Sequence, residues 1–189
     1  MSTEILYIKN MVCDRCKIVV KSELEKLGIN PLHIDLGEVT LTSPLNDEQK
    51  TSIKNRLDSL GFELINDKKS RLIEQIKTSI IELVHYNNNE LKVNLSGYLS
   101  EKLHHDYNYI SNLFSEIEGA TIEKYFIAQK IEKVKELLVY DELTLSEIAF
   151  RLNYSSTAHL SNQFKKVTGL TPSHFKTIKS NKRKPLDKV

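Results

Sequence analysis

The 189-residue sequence is poor in cysteine, glycine and proline, and it contains no long hydrophobic run. Its two cysteines, Cys13 and Cys16, lie three positions apart, so they cannot form a disulfide framework. We therefore expect the reducing environment of the cytoplasm. No apolar stretch approaches the roughly 20 residues that cross a bilayer, and we expect no membrane partner. The opening residues lack a basic start followed by an apolar core, so no signal peptide is expected.

Recognisable catalytic motifs are also missing from the sequence. It shows no Ser/His/Asp set, no paired carboxylates in a recognisable loop and no glycine-rich phosphate cradle. The adjacent histidines His104 and His105 fall in a predicted turn, where surface residues are commoner than metal ligands. The sequence therefore predicts that the protein is not an enzyme.

Charge is distributed unevenly along the chain, whose formal net charge is +2. Residues 143–189 hold nine basic and two acidic side chains, whereas residues 1–66 and 67–142 are both slightly acidic. A basic terminal quarter indicates a polyanionic partner such as nucleic acid. Four of the nine positive charges belong to the run KSNKRKP, which a solvated basic tail would also explain. Charge alone leaves both interpretations open.

The first 66 residues alternate strand and helix signals. The stretch EILYIKN predicts a strand, PLHIDLGEVTLTS a hairpin and FELIN a last strand. Two helices separate them, and the second is capped by Asn46 or Asp47. The resulting order, β-α-β-β-α-β, is the ferredoxin-like, split-βαβ arrangement. The residues that the first helix is predicted to bury are Ile18, Val19, Leu24 and Leu27.

The motif NMVCDRC, between the first strand and the first helix, resembles the loop of the heavy-metal-associated domain of copper chaperones and metal-pumping ATPases. The resemblance covers residues 3–66 and implies two thiolates that bind Cu(I) or another thiophilic metal ion, with a methionine packed beneath the loop. Asn10 stands where that family usually has glycine. The residues that carry the resemblance are Met11, Cys13, Cys16 and Phe62.

The chemistry expected of the two thiols is consistent with part of what this resemblance implies. A helix N-terminus and the neighbouring Arg15 predict a lowered pKa for the Cys16 thiol. Two sulfurs suit Cu(I), whereas a structural zinc site needs four ligands that this segment does not supply. Three interpretations stay open: metal binding, a domain kept for packing or dimerisation, and a redox role.

The remaining part of the sequence repeats itself at an offset of 50 residues. YISNLFSEIEGATIEKY (109–125) aligns with HLSNQFKKVTGLTPSHF (159–175), and each copy follows a short apolar helix and a turn. Asn153 lies where that turn favours left-handed backbone, which asparagine tolerates. An amphipathic helix over 67–92 precedes the repeat. Two helix-turn-helix units joined by a long helix are therefore predicted.

Residues 72–178, which include both predicted units, resemble the AraC/XylS-type DNA-binding domain. The resemblance implies two helix-turn-helix units bridged by one helix, promoter binding and transcriptional control. Its expected partners are double-stranded promoter DNA and RNA polymerase, and homodimerisation is left open. The residues that carry it are Leu145, Ala149, Leu152, Ser161, Phe164, Lys165, Gly169, Thr171 and Pro172.

Helical geometry separates buried from outward positions on each second helix of the two units. With Leu160 as the buried reference, Phe164 and Val167 are predicted to share its face. Residues on the opposite face are free to contact DNA. The candidate DNA-binding residues are Asn108, Tyr109, Asn112, Ser156, Thr157, His159, Asn162, Lys165 and Lys166.

Their chemistry suggests different roles. Asn112 and Asn162 are candidates for reading base edges, since asparagine pairs with adenine, while Lys165 and Lys166 are candidates for phosphate. The first copy has Ser115-Glu116 where the second has the two lysines. We therefore expect the second unit to supply most of the phosphate attraction.

Together these patterns predict an α+β protein with three segments. Residues 1–66 form a ferredoxin-like, heavy-metal-associated-like domain, residues 67–180 an all-α double helix-turn-helix domain, and residues 181–189 a basic tail. The predicted function is a sequence-specific transcriptional regulator that responds to a metal or thiol signal through Cys13 and Cys16. The alternative is a metal-trafficking, copper-chaperone-like protein whose helical half mediates protein contacts.

Overall fold

The computed structural model describes residues 3–87, 94–178 and 186–188. Two compact units make up the chain, Met1–Thr78 and Ser79–Val189. The predicted basic tail, 181–189, lies outside the described residues except for a short 3-10 turn, Leu186–Lys188. The polar run that ends the predicted helix over 67–92 also lies largely outside them.

The N-terminal unit is an antiparallel sheet with helices. Its strands lie in the order β2-β3-β1-β4, and all three pairings are antiparallel. The chain order of strands and helices is the predicted one. The elements are β1 (Glu4–Lys9), α1 (Asp14–Lys26), β2 (Pro31–Asp35), β3 (Glu38–Leu41), α2 (Asp47–Ser59) and β4 (Glu63–Ile65).

Alternation in β1 explains how the sheet faces its core. Leu6 and Ile8 are buried, whereas Ile5 and Tyr7, which alternate with them, point to the other face. Asn46 begins α2 with a capping box. The Asn46 side chain accepts a hydrogen bond from the backbone N–H of Gln49, and the Gln49 side chain accepts one from the backbone N–H of Asn46. The core of this unit is formed by Leu6, Ile8, Met11, Val20, Leu24, Ile29, Leu36, Val39, Leu41, Ile53, Leu57 and Phe62.

The predicted inner face of α1 is wrong for two residues. Ile18 is 67% exposed and Val19 is also exposed, while Val20 and Leu24 are buried. The half-buried Cys16 starts the row of positions four apart that faces the core. The phase of this helix is therefore set by Cys16 rather than by the apolar pair.

The next helix, α3 (Lys68–Ile81), begins in the N-terminal unit. Gln75 Nε2 donates to Glu38 Oε1 at 2.8 Å, and the Arg71 guanidinium lies 4.5 Å from the centre of the Tyr7 ring. These contacts explain why the first unit extends to residue 78, whereas the sequence placed its end at residue 66. A π-helical turn, Glu82–Tyr86, follows α3.

The C-terminal unit is helical and shows the duplication directly. Its helices α4, α5 and α6 begin 50 residues before α7, α8 and α9, respectively. Gly119 and Gly169 end α5 and α8 in the same left-handed conformation, with φ of 66° and 78°. These helices are α4 (Leu95–Leu103), α5 (Tyr107–Glu118), α6 (Ile122–Tyr140), α7 (Leu145–Arg151), α8 (Thr157–Thr168) and α9 (Pro172–Ile178).

Helix α6 is the shared element of this unit. It contacts α5 from the first copy and α7, α8 and α9 from the second. Its apolar residues Ile122, Ile131, Val134 and Leu138 are buried, and Phe126 is half-buried. Asn153, in the turn between α7 and α8, has a φ of 52°, which confirms its predicted left-handed backbone. Within the described residues, no helix is both long and apolar enough to cross a membrane.

Candidate nucleic-acid interface

The second helix-turn-helix unit is built on a compact apolar cluster. Leu160 and Phe164 of α8 are buried against the ring of Phe175, whose centroid lies 5.5 Å from that of Phe164. Val167 was predicted to join this face but is 48% exposed. It lies in the last turn of α8, just before Gly169 ends the helix. The buried face of α8 is therefore shorter than its periodicity suggested.

Most of the candidate residues on α8 are exposed, which leaves them available to a ligand. Ser156 caps the helix by accepting from the His159 N–H at 3.0 Å. Thr157, the first helical residue, is half-buried, which makes it the exception to the predicted outward face. The exposed candidates are Ser156, His159, Asn162, Lys165 and Lys166.

The first unit presents an equivalent face on α5. The Asp106 carboxylate caps this helix by accepting from the N–H groups of Asn108 and Tyr109. Asn108, Tyr109 and Asn112 are all exposed, with Tyr109 at 50%. The opposite face is buried and consists of Ile110, Leu113 and Phe114, whereas Ile117, the counterpart of Val167 in the repeat, is 45% exposed.

The two faces differ most in charge. Lys165 and Lys166 are exposed near the end of α8, whereas α5 has half-buried Ser115 and exposed Glu116 at those positions. The local difference is three charge units, since two cations stand where the first copy has one neutral residue and one anion. Only the second face is therefore electrostatically suited to a polyanion.

Two side chains that the sequence analysis did not single out contact the candidate rings. Ser155 Oγ lies 3.0 Å from His159 Nδ1, and the rings of Tyr154 and His159 meet edge to face with centroids 5.4 Å apart. In the first unit, the rings of His105 and Tyr109 have centroids 5.7 Å apart. Ser155 and His105 each precede their ring by four positions, whereas Tyr154 precedes His159 by five.

Behind α8, Lys130 of the linker helix is buried. It is 7% exposed, and its Nζ lies 3.9 Å from the centre of the Tyr154 ring and 5.5 Å from that of Phe126. Burial lowers the pKa of Lys130 to about 8. Burial also raises the pKa of Tyr154, whose hydroxyl has no hydrogen-bond partner among the described residues. Lys130 lies on the four-residue spacing of Phe126 and Val134, so the sequence allowed its stem to pack, but it did not indicate the burial of the ammonium group.

The two cysteines lie in the N-terminal unit, at the start of α1. Their Sγ atoms are 3.4 Å apart, and both side chains are half-buried. Asn10 adopts a left-handed φ of 70° and donates from Nδ2 to the Gly61 carbonyl at 2.8 Å, so asparagine serves where the resembling family has glycine. Met11 is buried in the core beneath this loop.

The pKa of Cys16 differs in direction from the prediction. Burial raises the pKa of this thiol, and its hydrogen bond with Cys13 acts in the same direction. Backbone hydrogen bonds at the helix start lower it, but they are the smaller effect. Desolvation therefore outweighs the helix N-terminus at this position.

Comparison with known proteins bears on the helical half. Residues 99–178 match the family model of a helix-turn-helix domain. The chain is 22% identical over 134 residues to an uncharacterized HTH-type transcriptional regulator of Bacillus subtilis, covering 70% of this chain and 17% of that protein. It is 24% identical over 188 residues to the xylose operon regulatory protein of Escherichia coli, covering 89% of this chain and 48% of that protein.

A solved structure shows the same fold. The C-terminal domain of AraT, a response regulator from Geobacillus stearothermophilus, aligns with a TM-score of 0.51 and 23% identity, covering 62% of this chain and 95% of that domain. This chain spans less than half the length of the two curated relatives described above. The comparisons therefore identify a helix-turn-helix domain over residues 99–178, in a helical half whose fold is similar to that of the AraT C-terminal domain.

Proposed function

We propose that this protein is a sequence-specific DNA-binding transcriptional regulator. The observation that carries the proposal is the duplicated helix-turn-helix unit, in which α5 and α8 bury one face and expose polar candidate residues on the other. In helix-turn-helix proteins the second helix enters the major groove and its first residues meet base edges. Asn108, Tyr109, Ser156 and His159 lie in the caps or first turns of these helices.

The linker helix supports a geometry in which both units bind one duplex. Helix α6 has 19 residues, which corresponds to about 28 Å at 1.5 Å per residue. A separation of roughly 34 Å would let α5 and α8 enter successive major grooves on one side of the DNA. Promoter DNA is then the proposed partner, with RNA polymerase as the protein that such a regulator would influence.

We expect the two units to contribute unequally to DNA binding. Lys165 and Lys166 offer two exposed ammonium groups to phosphate, whereas Glu116 in the first copy would repel it. We expect α8 to supply most of the phosphate attraction and α5 to contribute contacts to base edges through Asn108, Tyr109 and Asn112.

The test is a DNA titration of the full-length protein at several salt concentrations, using the gene's own upstream region and an unrelated duplex. Lys165→Ala should weaken binding to both and reduce the salt slope by about one. Lys54→Ala is the matched control, because Lys54 is an exposed lysine of α2 in the other unit. Equal affinity for the two duplexes, or an unchanged salt slope in Lys165→Ala, would contradict the proposal.

For the N-terminal unit we propose a ferredoxin-like, heavy-metal-associated-like domain. The strand order β2-β3-β1-β4, with α1 and α2 as the two crossovers, supports this assignment. The facing sulfurs of Cys13 and Cys16, 3.4 Å apart, support a two-thiolate site for Cu(I) or another thiophilic ion. The described residues hold no group of three or more His, Cys, Asp and Glu, so the donor set fits a soft ion better than structural zinc.

Metal binding to this site should release protons. Because burial raises the pKa of Cys16, its thiol is neutral at pH 7 and must lose its proton to become a ligand. Affinity should therefore increase as pH rises toward 9. Competition between the reduced protein and a Cu(I) chelator at several pH values measures this directly.

Three variants separate the roles of the sulfur atoms. Cys13→Ser and Cys16→Ser should each lose Cu(I) binding, whereas Met11→Leu should keep it because Met11 is buried in the core. If Cys13→Ser binds as well as the parent protein, the site is not a dithiolate. Repeating the DNA titration with and without Cu(I) then shows whether the metal changes DNA affinity.

A further inference from the structure

Each recognition helix carries a ring at its third residue, and the side chain four residues earlier contacts that ring. In α8 the ring is His159, whose Nδ1 lies 3.0 Å from Ser155 Oγ. In α5 the ring is Tyr109, which lies against His105. The two rings occupy equivalent positions of the 50-residue repeat, and so do the two side chains that hold them. The arrangement therefore recurs although the residue types differ.

His159 is the more constrained of the two rings. Besides the contact with Ser155, it meets the edge of Tyr154 at an interplanar angle of 83°. Tyr154 is itself buried between the linker helix and α8, so it offers a fixed wall to the exposed imidazole. With Nδ1 engaged by Ser155, Nε2 is the ring nitrogen left for a ligand.

We propose that Ser155 is a positioning residue for DNA recognition, which holds His159 so that Nε2 donates a hydrogen bond to an acceptor on a base edge. The inference rests on the proposed DNA-binding function. A hydroxyl that donates to Nδ1 leaves the proton of a neutral imidazole on Nε2. Guanine offers two acceptors and no donor in the major groove, so it is the base expected opposite His159.

Ser155 is expected to increase the affinity for DNA because it holds the His159 ring in place before DNA binds. A free histidine loses rotational freedom when DNA fixes it, whereas a ring already held loses less. The benefit appears only when the imidazole makes a directed contact, because a diffuse attraction to phosphate does not depend on orientation.

The experiment uses full-length protein and the duplexes that it selects from a random pool. Each guanine pair of the selected duplex is then replaced in turn, and dissociation constants give a specificity ratio. His159→Asn, which is too short to reach the Nε2 position, should lose about tenfold in specific affinity. His159→Gln, which places an amide donor there, should keep most of it. Ser155→Ala should lose about threefold, and the control Ser146→Ala, an exposed serine of α7, should lose nothing.

A double-mutant cycle separates positioning from a general structural effect. In the His159→Asn background, Ser155→Ala should have no further effect, since the ring that it holds is gone. The same background should become insensitive to one particular guanine replacement. Equal losses from Ser155→Ala in both backgrounds, or parental binding by His159→Asn, would overturn the inference while leaving the proposed function standing. Failure of the parent protein to select any duplex would refute the proposed function itself.

Discussion

The buried lysine of the linker helix leads to a prediction of opposite sign to most core substitutions. Lys130 is 7% exposed, and no carboxylate among the described residues pairs with it. Burial lowers its pKa from 10.5 to about 8, which corresponds to about 3 kcal/mol of destabilisation while the ammonium is charged. The ammonium also lies against the rings of Tyr154 and Phe126. The shift in pKa therefore sets an upper limit of about 3 kcal/mol on the cost of the buried charge at neutral pH.

Replacing Lys130 with methionine should therefore raise the free energy of unfolding at pH 7, by up to about 3 kcal/mol. The difference depends on pH. The folded state binds the lysine proton less tightly than the unfolded chain, so unfolding takes up a proton between pH 8 and 10.5. The penalty is complete below pH 8 and disappears as pH rises through this window. The parent protein and Lys130→Met should therefore converge near pH 10.

Urea denaturation of both proteins at pH 7, 8.5 and 10, followed by far-ultraviolet circular dichroism, measures the effect. Lys135→Met is the matched control, because Lys135 is equally buried but its Nζ lies 2.5 Å from Glu132 Oε1. That variant removes the ion-pair partner of the buried Glu132 carboxylate and should lower the free energy of unfolding. If Lys130→Met is less stable than the parent at pH 7, or if the difference between them is the same at pH 7 and 10, the reasoning is wrong.

Two further predictions concern the same unit. Gln129→Leu should lower the free energy of unfolding by about 2 kcal/mol. The reason is that the buried amide makes hydrogen bonds with His85, the Tyr125 hydroxyl and the Leu186 carbonyl at 3.0–3.2 Å. An unchanged stability in urea denaturation would mean that these groups find other partners. Gly169→Ala should lose about 1 kcal/mol from its positive φ alone, since an added Cβ meets no atom within 4 Å. Gly169→Asn should lose less in the same assay, and equal losses would contradict a backbone origin.

Structural features that depend on residues close together in the chain could be predicted from the sequence. The repeat, the ends of α5 and α8 at Gly119 and Gly169, and the left-handed turn at Asn153 all depend on residues within a few positions of one another. The outward faces of the recognition helices follow from the same local period. This is why the candidate DNA-binding residues are almost all exposed.

Features that depend on tertiary environment could not. Gln129 looks like an ordinary polar position, and the packing of α6 against both copies buries it. Lys130 lies on an apolar row of α6, so its stem could be expected to pack, but the burial of its ammonium group could not be predicted. The pKa of Cys16 has the opposite sign to its prediction because the extent of burial, unlike the helix terminus, is not visible in the sequence. The exposed face of α1 at Ile18 was missed for a related reason, since several phases of one apolar pattern satisfy the same period.

The divergence of the two recognition helices bears on the kind of DNA site that this protein selects. Dimeric helix-turn-helix proteins present one helix twice and read palindromic half-sites. Here a single chain presents two different helices, with Asn108 and Tyr109 in one where Ala158 and His159 stand in the other. Under the proposed function one chain would therefore offer both helices, and the two half-sites would need to share neither sequence nor dyad symmetry. Duplexes selected from a random pool should accordingly be non-palindromic over about two helical turns. A palindromic consensus would instead mean that one unit dominates recognition and that two chains bind together.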